Sequence, residues 1–226
     1  MVDKSNKALV LLSGGLDSTV VLSICKLKGY KTYAISFNYG QRHDVELKFA
    51  KFQANFFNCI SHEVFKIDFY GGSALTDNIS VPTNTDVDSI PNNIPVTYVP
   101  SRNIVFLSFA AGYAECFDID NIFIGVNSID YSGYPDCRKT FIDGFENLIN
   151  KSTKKGIEGN KFKIFTPLIN LSKKEIIKLG NKNGVDFSMT SSCYNPGLKK
   201  NCGFCDSCLL RKRGFEEAEL IDPLGN

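Results

Sequence analysis

Ala8-Leu9-Val10-Leu11-Leu12-Ser13-Gly14-Gly15-Leu16-Asp17-Ser18-Thr19 joins a short apolar run to a glycine pair and then to a helical pattern. Ala8–Leu12 carries no polar residue, as expected of a strand covered on both faces of a parallel sheet. From Ser18 to about Lys28 the apolar residues fall at helical spacing, and Gly29 ends the run. Adjacent glycines let the backbone between them turn sharply and bring N–H groups close to a ligand. The following helix adds free N–H groups and the positive end of its dipole. Ser13, Ser18 and Thr19 add hydroxyl donors. The product is an anion cradle suited to phosphate or pyrophosphate. It lacks the spacing and the lysine of a Walker A loop, and it lacks the G-x-G-x-x-G of a dinucleotide turn.

The hexapeptide Ser13-Gly14-Gly15-Leu16-Asp17-Ser18, set between strand and helix, resembles the phosphate loop of the PP-loop ATP pyrophosphatases. That resemblance implies ATP cleaved between its α and β phosphates, with AMP transferred to a substrate. It places ATP on Leu12, Ser13, Gly14, Gly15, Leu16, Asp17, Ser18, Thr19, Val20, Val21 and Leu22. Asp17 would help hold Mg²⁺, which prefers carboxylate and phosphate oxygens.

Outward from this loop the chain alternates between strand and helix patterns. Strands are expected at Lys31–Phe37, Val64–Phe69, Asn121–Val126 and, as a short piece, Phe162–Pro167. Asp44–Phe57 reads as a helix with Val45, Phe49, Phe52 and Phe56 on one face. Asn103–Phe117 is apolar nearly all round, which suggests burial between layers. Thr140–Asp143 and Ser172–Glu175 have the form of capping boxes, opening helices that end near Asn150 and Asn183. A last helix is expected from Cys208 to about Leu220. Residues 70–101 break the rhythm with Gly71-Gly72, Pro82, Pro91 and Pro95, and irregular segments of that length are functional or disordered. Strands separated by helices imply right-handed βαβ units, a parallel sheet with helices on both faces, and ligands at the carboxyl ends of the strands. Residues 1–188 are expected to form this α/β domain and residues 189–226 a small appended element.

The chain has 226 residues, 43% hydrophobic and 22% charged, with a net charge of +2. That balance gives no argument for a nucleic-acid or membrane partner. Arg211-Lys212-Arg213 is read as a solvated helix face. No stretch suits a signal peptide or membrane span, so a cytoplasmic protein is expected. His43 and His62 are the only histidines, and neither stands near a G-x-S-x-G turn, which excludes a His-rich metal site and sets nucleophilic-serine chemistry aside.

Four of the eight cysteines lie at Cys193-x8-Cys202-x2-Cys205-x2-Cys208. A cytosolic setting disfavours disulfides. Four thiolates at this spacing suit a closed, structural Zn²⁺ site, while spacing alone leaves an iron–sulfur centre open. Cys25, Cys59 and Cys116 read as small buried hydrophobes. Cys137 lies in a polar loop, with packing and a site role both open.

Three further loops follow strands or precede the apolar helix: Tyr39-Gly40-Gln41-Arg42-His43, Tyr98-Val-Pro-Ser-Arg102-Asn103, and residues 125–138 with Asp130-Tyr131-Ser132-Gly133-Tyr134-Pro135-Asp136-Cys137-Arg138. Arginine suits phosphates and carboxylates, and tyrosine rings stack on flat heterocycles. Together with the phosphate loop and the four-cysteine spacing, these motifs, spanning about Ala8 to Arg213, resemble the 7-cyano-7-deazaguanine synthase family of queuosine biosynthesis. The resemblance implies a Rossmann-like sheet of the adenine nucleotide alpha hydrolase type with a C-terminal four-cysteine zinc element. It implies a homodimer that converts 7-carboxy-7-deazaguanine, ammonia and ATP to the nitrile through an adenylated carboxylate and an amide. Tyr39, Gln41, Arg42, Arg102, Asn103, Asp130, Tyr131, Asp136 and Arg138 are the candidate substrate and catalytic residues. Asp130 or Asp136 would pair with the guanine-type N–H edge, and an arginine would meet the carboxylate. Two other readings stand beside this one: a PP-loop enzyme that modifies tRNA, and a non-catalytic zinc- and nucleotide-binding module.

Overall fold

A computed structural model describes residues 6–41, 45–68, 71–84, 86–89, 93–129, 133–196 and 201–225. Strand β1 (Lys7–Leu11) runs at the centre of a five-stranded parallel sheet. It pairs on one side with β2 (Lys31–Asn38), with Leu9 opposite Tyr33, and on the other with β4 (Asn121–Phe123), with Leu9 opposite Ile122. Beyond these lie β3 (Ser61–Lys66) and β5 (Lys163–Phe165), giving the order β3-β2-β1-β4-β5. The chain first winds outward through β2 and β3, then returns to the other side of β1. That reversal opens a crevice at the carboxyl ends of β1 and β4.

The unbroken apolar run of β1 has a simple cause, since both faces of the strand are covered. Leu9 and Leu11 join the core under helices α3 (Arg102–Cys116) and α4 (Lys139–Ser152). Ala8 and Val10 join a second core under α1 (Leu16–Leu27), α2 (Val45–Phe56), α6 (Lys173–Lys182) and α7 (Asp206–Ala218). Between α4 and β5 stands a single turn, α5 (Lys154–Ile157). The helices that follow β1, β2 and β4 are those the period of apolar residues predicts, with ends shifted by one or two residues.

Several expectations are corrected. On α2 the buried residues are Ala50, Gln53 and Ala54, whereas Val45, Phe49 and Phe52 are half-buried and Phe56 is exposed. Small residues face inward because this helix lies directly on the phosphate loop. Helix α3 is not enclosed between layers. Leu107, Ala110, Ala111 and Ala114 face the sheet, while Ile104 and Phe109 stay over 40% exposed on its outer side. Thr140 lies inside α4, which Arg138 precedes without any side-chain cap. The second capping box is real: Ser172 accepts from the Glu175 N–H, and Glu175 accepts from the Ser172 N–H. Strand β3 begins three residues earlier than expected and β4 ends at Phe123. Cys116 is exposed, since it ends α3 on its solvent side.

Arg211 overturns the reading of the basic run as a solvated face. It is 2% exposed and pairs through Nε and Nη2 with both oxygens of Asp222 at 2.8 Å. Its remaining donors reach Thr190 Oγ1 at 2.9 Å and the Phe187 carbonyl at 3.1 Å, and Phe215 lies under the guanidinium. Lys212 and Arg213 are exposed, as expected. Helix α7 meets α6 closely at Gly214, where a Cβ would lie 2.4 Å from Lys173 Cγ. Among the described residues no helix is long and apolar enough to cross a membrane.

Removing one member of a fully buried ion pair leaves an uncompensated charge in a low-dielectric site. Asp222→Ala is therefore expected to cost about 3–5 kcal/mol. The paired replacement Arg211→Met with Asp222→Leu is expected to cost clearly less. Urea denaturation of the three proteins checks both, and equal losses would deny that the pair is electrostatically buried.

Candidate active site

The phosphate loop leaves the carboxyl end of β1 and is fixed by its own hydroxyls. Ser18 Oγ accepts from the Ser13 N–H at 3.2 Å and donates to the Gly15 carbonyl at 3.1 Å. Ser13 Oγ lies 3.0 Å from Ser18 Oγ and accepts from the Gly15 N–H at 3.2 Å. Thr19 Oγ1 donates to the Gly15 carbonyl at 2.9 Å. Gly14 has φ +85°, and a Cβ there would lie 2.0 Å from the Glu46 carbonyl oxygen and 2.7 Å from the Ala50 nitrogen. No side chain fits, so α2 closes one side of the loop. Thr19, Val20, Val21 and Leu22 are almost wholly buried below it and do not line the cavity described next.

That cavity, of about 260 Å³, opens over the loop. Leu12, Ser13, Gly15, Leu16, Asp17 and Ser18 form its floor. Tyr39 and Gln41 enter from the end of β2, Arg102 and Asn103 from the start of α3, and Gly125 and Asn127 from the segment after β4. Of the expected substrate residues, Tyr39, Gln41, Arg102 and Asn103 are thus brought together. Gln41 is folded back on its own loop, accepting from the Tyr39 N–H at 2.8 Å and donating to the Phe37 carbonyl at 3.1 Å. Arg102 donates to the Tyr39 hydroxyl at 3.4 Å.

Asp136 and Arg138 are not among the residues that line the cavity. The Asp136 carboxylate accepts from the Asn103 N–H at 3.1 Å, an anion placed at the N-terminus of α3, and its carbonyl accepts from the Asn103 side chain at 3.1 Å. Arg138 is an exposed residue at the start of α4. Arg42, Asp130 and Tyr131 lie outside the described residues. Cys137 lines the cavity, but burial, followed by the charge of Asp136, pushes its thiol up to about 12. A thiol that stays protonated is a poor nucleophile, so packing is the role its surroundings support.

Six residues contribute in ways that local sequence does not show. Lys173 Nζ grips both oxygens of Asp17, at 2.8 and 2.9 Å, from 156 residues away. Ser191 donates its N–H to the Gly14 carbonyl at 3.1 Å, and Ser192 Oγ accepts from the Leu16 N–H at 3.4 Å. Glu46 points into the cavity from the first turn of α2, and burial pushes its carboxyl up to about 7, an effect the nearby Arg102 charge only partly offsets. Leu75, from the long irregular segment, also lines the wall, and Thr97 of that segment bonds the Tyr134 hydroxyl at 2.8 Å.

Directly beyond Ser192 stands the cysteine cluster. The sulfurs of Cys193, Cys202, Cys205 and Cys208 all lie within 4.8 Å of one another, with Cys202 and Cys208 3.9 Å apart. Metal–sulfur bonds of about 2.3 Å in a tetrahedron require sulfurs about 3.8 Å apart, so this donor set fits a metal ion. Backbone N–H groups of Asn195 and Cys202 point at Cys193 Sγ, and that of Cys205 at Cys202 Sγ, as suits thiolates. Asn84 ties the cluster to the irregular segment, accepting nothing from it but donating to Asp206 at 2.7 Å and to the Phe204 carbonyl at 2.9 Å. Cys193 and Tyr194 line the same cavity as the phosphate loop.

Comparison with known proteins agrees with this geometry. A family model described as Queuosine biosynthesis protein QueC matches residues 7–219. The 7-cyano-7-deazaguanine synthase of Acetivibrio thermocellus is 55% identical over 219 residues, covering 96% of each chain. That of Coxiella burnetii is 55% identical over 223 residues, again covering 96% of each. Among solved structures, NMN synthetase from Francisella tularensis shares the fold, with 16% identity, a TM-score of 0.52, and coverage of 96% of this chain and 88% of its own. With a family match across nearly its whole length and relatives above half identity, this chain belongs to the QueC family of queuosine biosynthesis proteins.

Proposed function

We propose that this protein is a 7-cyano-7-deazaguanine synthase, which uses ATP and ammonia to turn the carboxylate of 7-carboxy-7-deazaguanine into a nitrile. One observation carries the reading: the Ser13–Ser18 loop forms the floor of a cavity whose walls hold a cation, a carboxylate and aromatic rings. Phosphate oxygens of ATP sit on the loop and the α1 N-terminus, where N–H groups and the helix dipole favour negative charge. A free carboxylate is a poor electrophile because oxide is a poor leaving group. Its oxygen attacks the α phosphorus of ATP and pyrophosphate leaves. Ammonia then displaces AMP and gives the amide. A second ATP activates the amide oxygen in the same way, and loss of AMP and a proton leaves the nitrile. The protein positions the reactants and stabilises the charge that develops, so little covalent chemistry falls to its side chains.

Asp17 suits Mg²⁺ carried in with ATP, and Lys173 holds that carboxylate in place until then. The cysteine cluster is read as structural Zn²⁺, because four protein thiolates leave no open position. Zinc there clamps residues 189–226 as a small element onto the 1–188 domain and holds Ser191 and Ser192 against the loop. With the cluster cysteines committed to one another and Cys137 neutral, no described cavity cysteine suits the sulfur transfer that a tRNA-thiolating enzyme needs. A cytoplasmic setting accords with ATP use and reduced thiols. The outer face of α3, with Ile104 and Phe109, is the surface on which a second copy would pack.

Mass spectrometry of the base and the nucleotide tests the function. Protein with Mg-ATP, ammonium and 7-carboxy-7-deazaguanine is expected to yield the nitrile and AMP; ADP instead would overturn the adenylation step, and an unchanged base would overturn the substrate. For the metal, elemental analysis is expected to find one zinc per chain, lost in Cys205→Ser together with most ATP turnover. A Cys205→Ser protein of wild-type stability and turnover would contradict the clamp. For the dimer, light scattering is expected to give twice the chain mass and Phe109→Asp to halve it, and a monomeric wild type would remove that assignment.

A further inference from the structure

Among the described residues, two carboxylates line the cavity, Asp17 and Glu46. Asp17 is held by Lys173. The Glu46 carboxylate accepts no hydrogen bond from any described residue, although it is half-buried in the cavity wall and close enough to Tyr39 for its charge to act there. A carboxylate half-shielded from water and without donors is poorly compensated until a ligand supplies them. Burial raises its pKa toward neutrality, as expected of a carboxylate awaiting a partner. Arg102 is close enough for its charge to act on Glu46, yet it forms no ion pair with it. The cavity therefore offers an acceptor and a donor side by side. The six-membered ring of a guanine-type base presents the complement on one edge: two adjacent N–H donors, at N1 and the 2-amino group, next to the O6 acceptor. Asp136 is engaged by the Asn103 N–H at the α3 N-terminus and does not line the cavity.

We infer that Glu46 is the residue that reads the base, accepting from N1–H and the 2-amino group while Arg102 donates to O6. This rests on the proposed substrate. It makes the first turn of α2 a specificity element. The same close packing of α2 on Gly14 then fixes the distance between the base edge and the phosphates. The amino group, which takes no part in the chemistry, becomes the group by which guanine-type bases are selected over hypoxanthine-type ones.

The test compares 7-carboxy-7-deazaguanine with its 2-deamino analogue, using wild-type protein, Glu46→Gln and Glu46→Asp. Loss of one hydrogen bond to a charged acceptor changes affinity by roughly 30-fold. Wild type is expected to prefer the amino base by about that factor, by kcat/KM and by calorimetric binding without ATP. Glu46→Gln is expected to raise KM for the amino base by a similar factor, leave KM for ATP unchanged, and bring the preference near one. Glu46→Asp keeps the charge and is expected to weaken binding while retaining the preference. If wild type makes the nitrile but Glu46→Gln, folded by circular dichroism, keeps its affinity and preference, this inference falls alone. If wild type neither binds nor converts either base, the proposed substrate falls with it.

Discussion

At Gly14 two backbones approach more closely than any side chain permits. A Cβ at this position would overlap the carbonyl of Glu46 and crowd the nitrogen of Ala50. The left-handed φ of Gly14 and the missing Cβ are both required, the first for the turn and the second for the contact. Much else depends on that contact. It brings α2 down onto the loop at Ala50, on the buried face that also carries Ala54. It also directs Glu46 into the cavity over the phosphate loop.

The part of the site visible in sequence is the part built from neighbours in the chain. Ser13, Ser18 and Thr19 bond within the loop that contains them, so their residue types and spacing carry the information. The four cysteines likewise lie within sixteen residues, and their sulfurs converge within 4.8 Å of one another. The central strand was legible because burial on both faces removes polar residues from it. What could not be read are the long-range partners. Lys173 reaches Asp17, and Ser192 the loop, across more than 150 residues. Helix periodicity misdirected the reading of α2, because a stripe of large aromatic residues outweighs two alanines on any apolar scale. Only the backbone contact reveals which face must be small. Asp136 looked like a ligand group because it follows a strand, but its carboxylate accepts from the Asn103 N–H at the start of α3. Arg211 looked solvated because its neighbours are, while its position on α7 turns it toward Asp222.

The cysteine cluster is more than an appendage in this arrangement. Cys193 follows directly on Ser191 and Ser192, which bond the phosphate loop, and it shares the cavity wall with them. Asn84 fastens the other end of the cluster to the irregular 71–101 segment, and Thr97 of that segment bonds Tyr134. Loop, cysteine element and irregular segment thus form one connected wall around the cavity. Preorganisation of this kind is what a reaction limited by positioning and charge requires.

The claim on which the account stands is that oxygen leaves the substrate attached to AMP, twice. The direct measurement uses 7-carboxy-7-deazaguanine labelled with ¹⁸O in both carboxyl oxygens and follows the label by mass spectrometry. The account predicts two AMP molecules per nitrile, each carrying one ¹⁸O, with none in pyrophosphate. Label in inorganic phosphate or released into water, with unlabelled AMP, would contradict it.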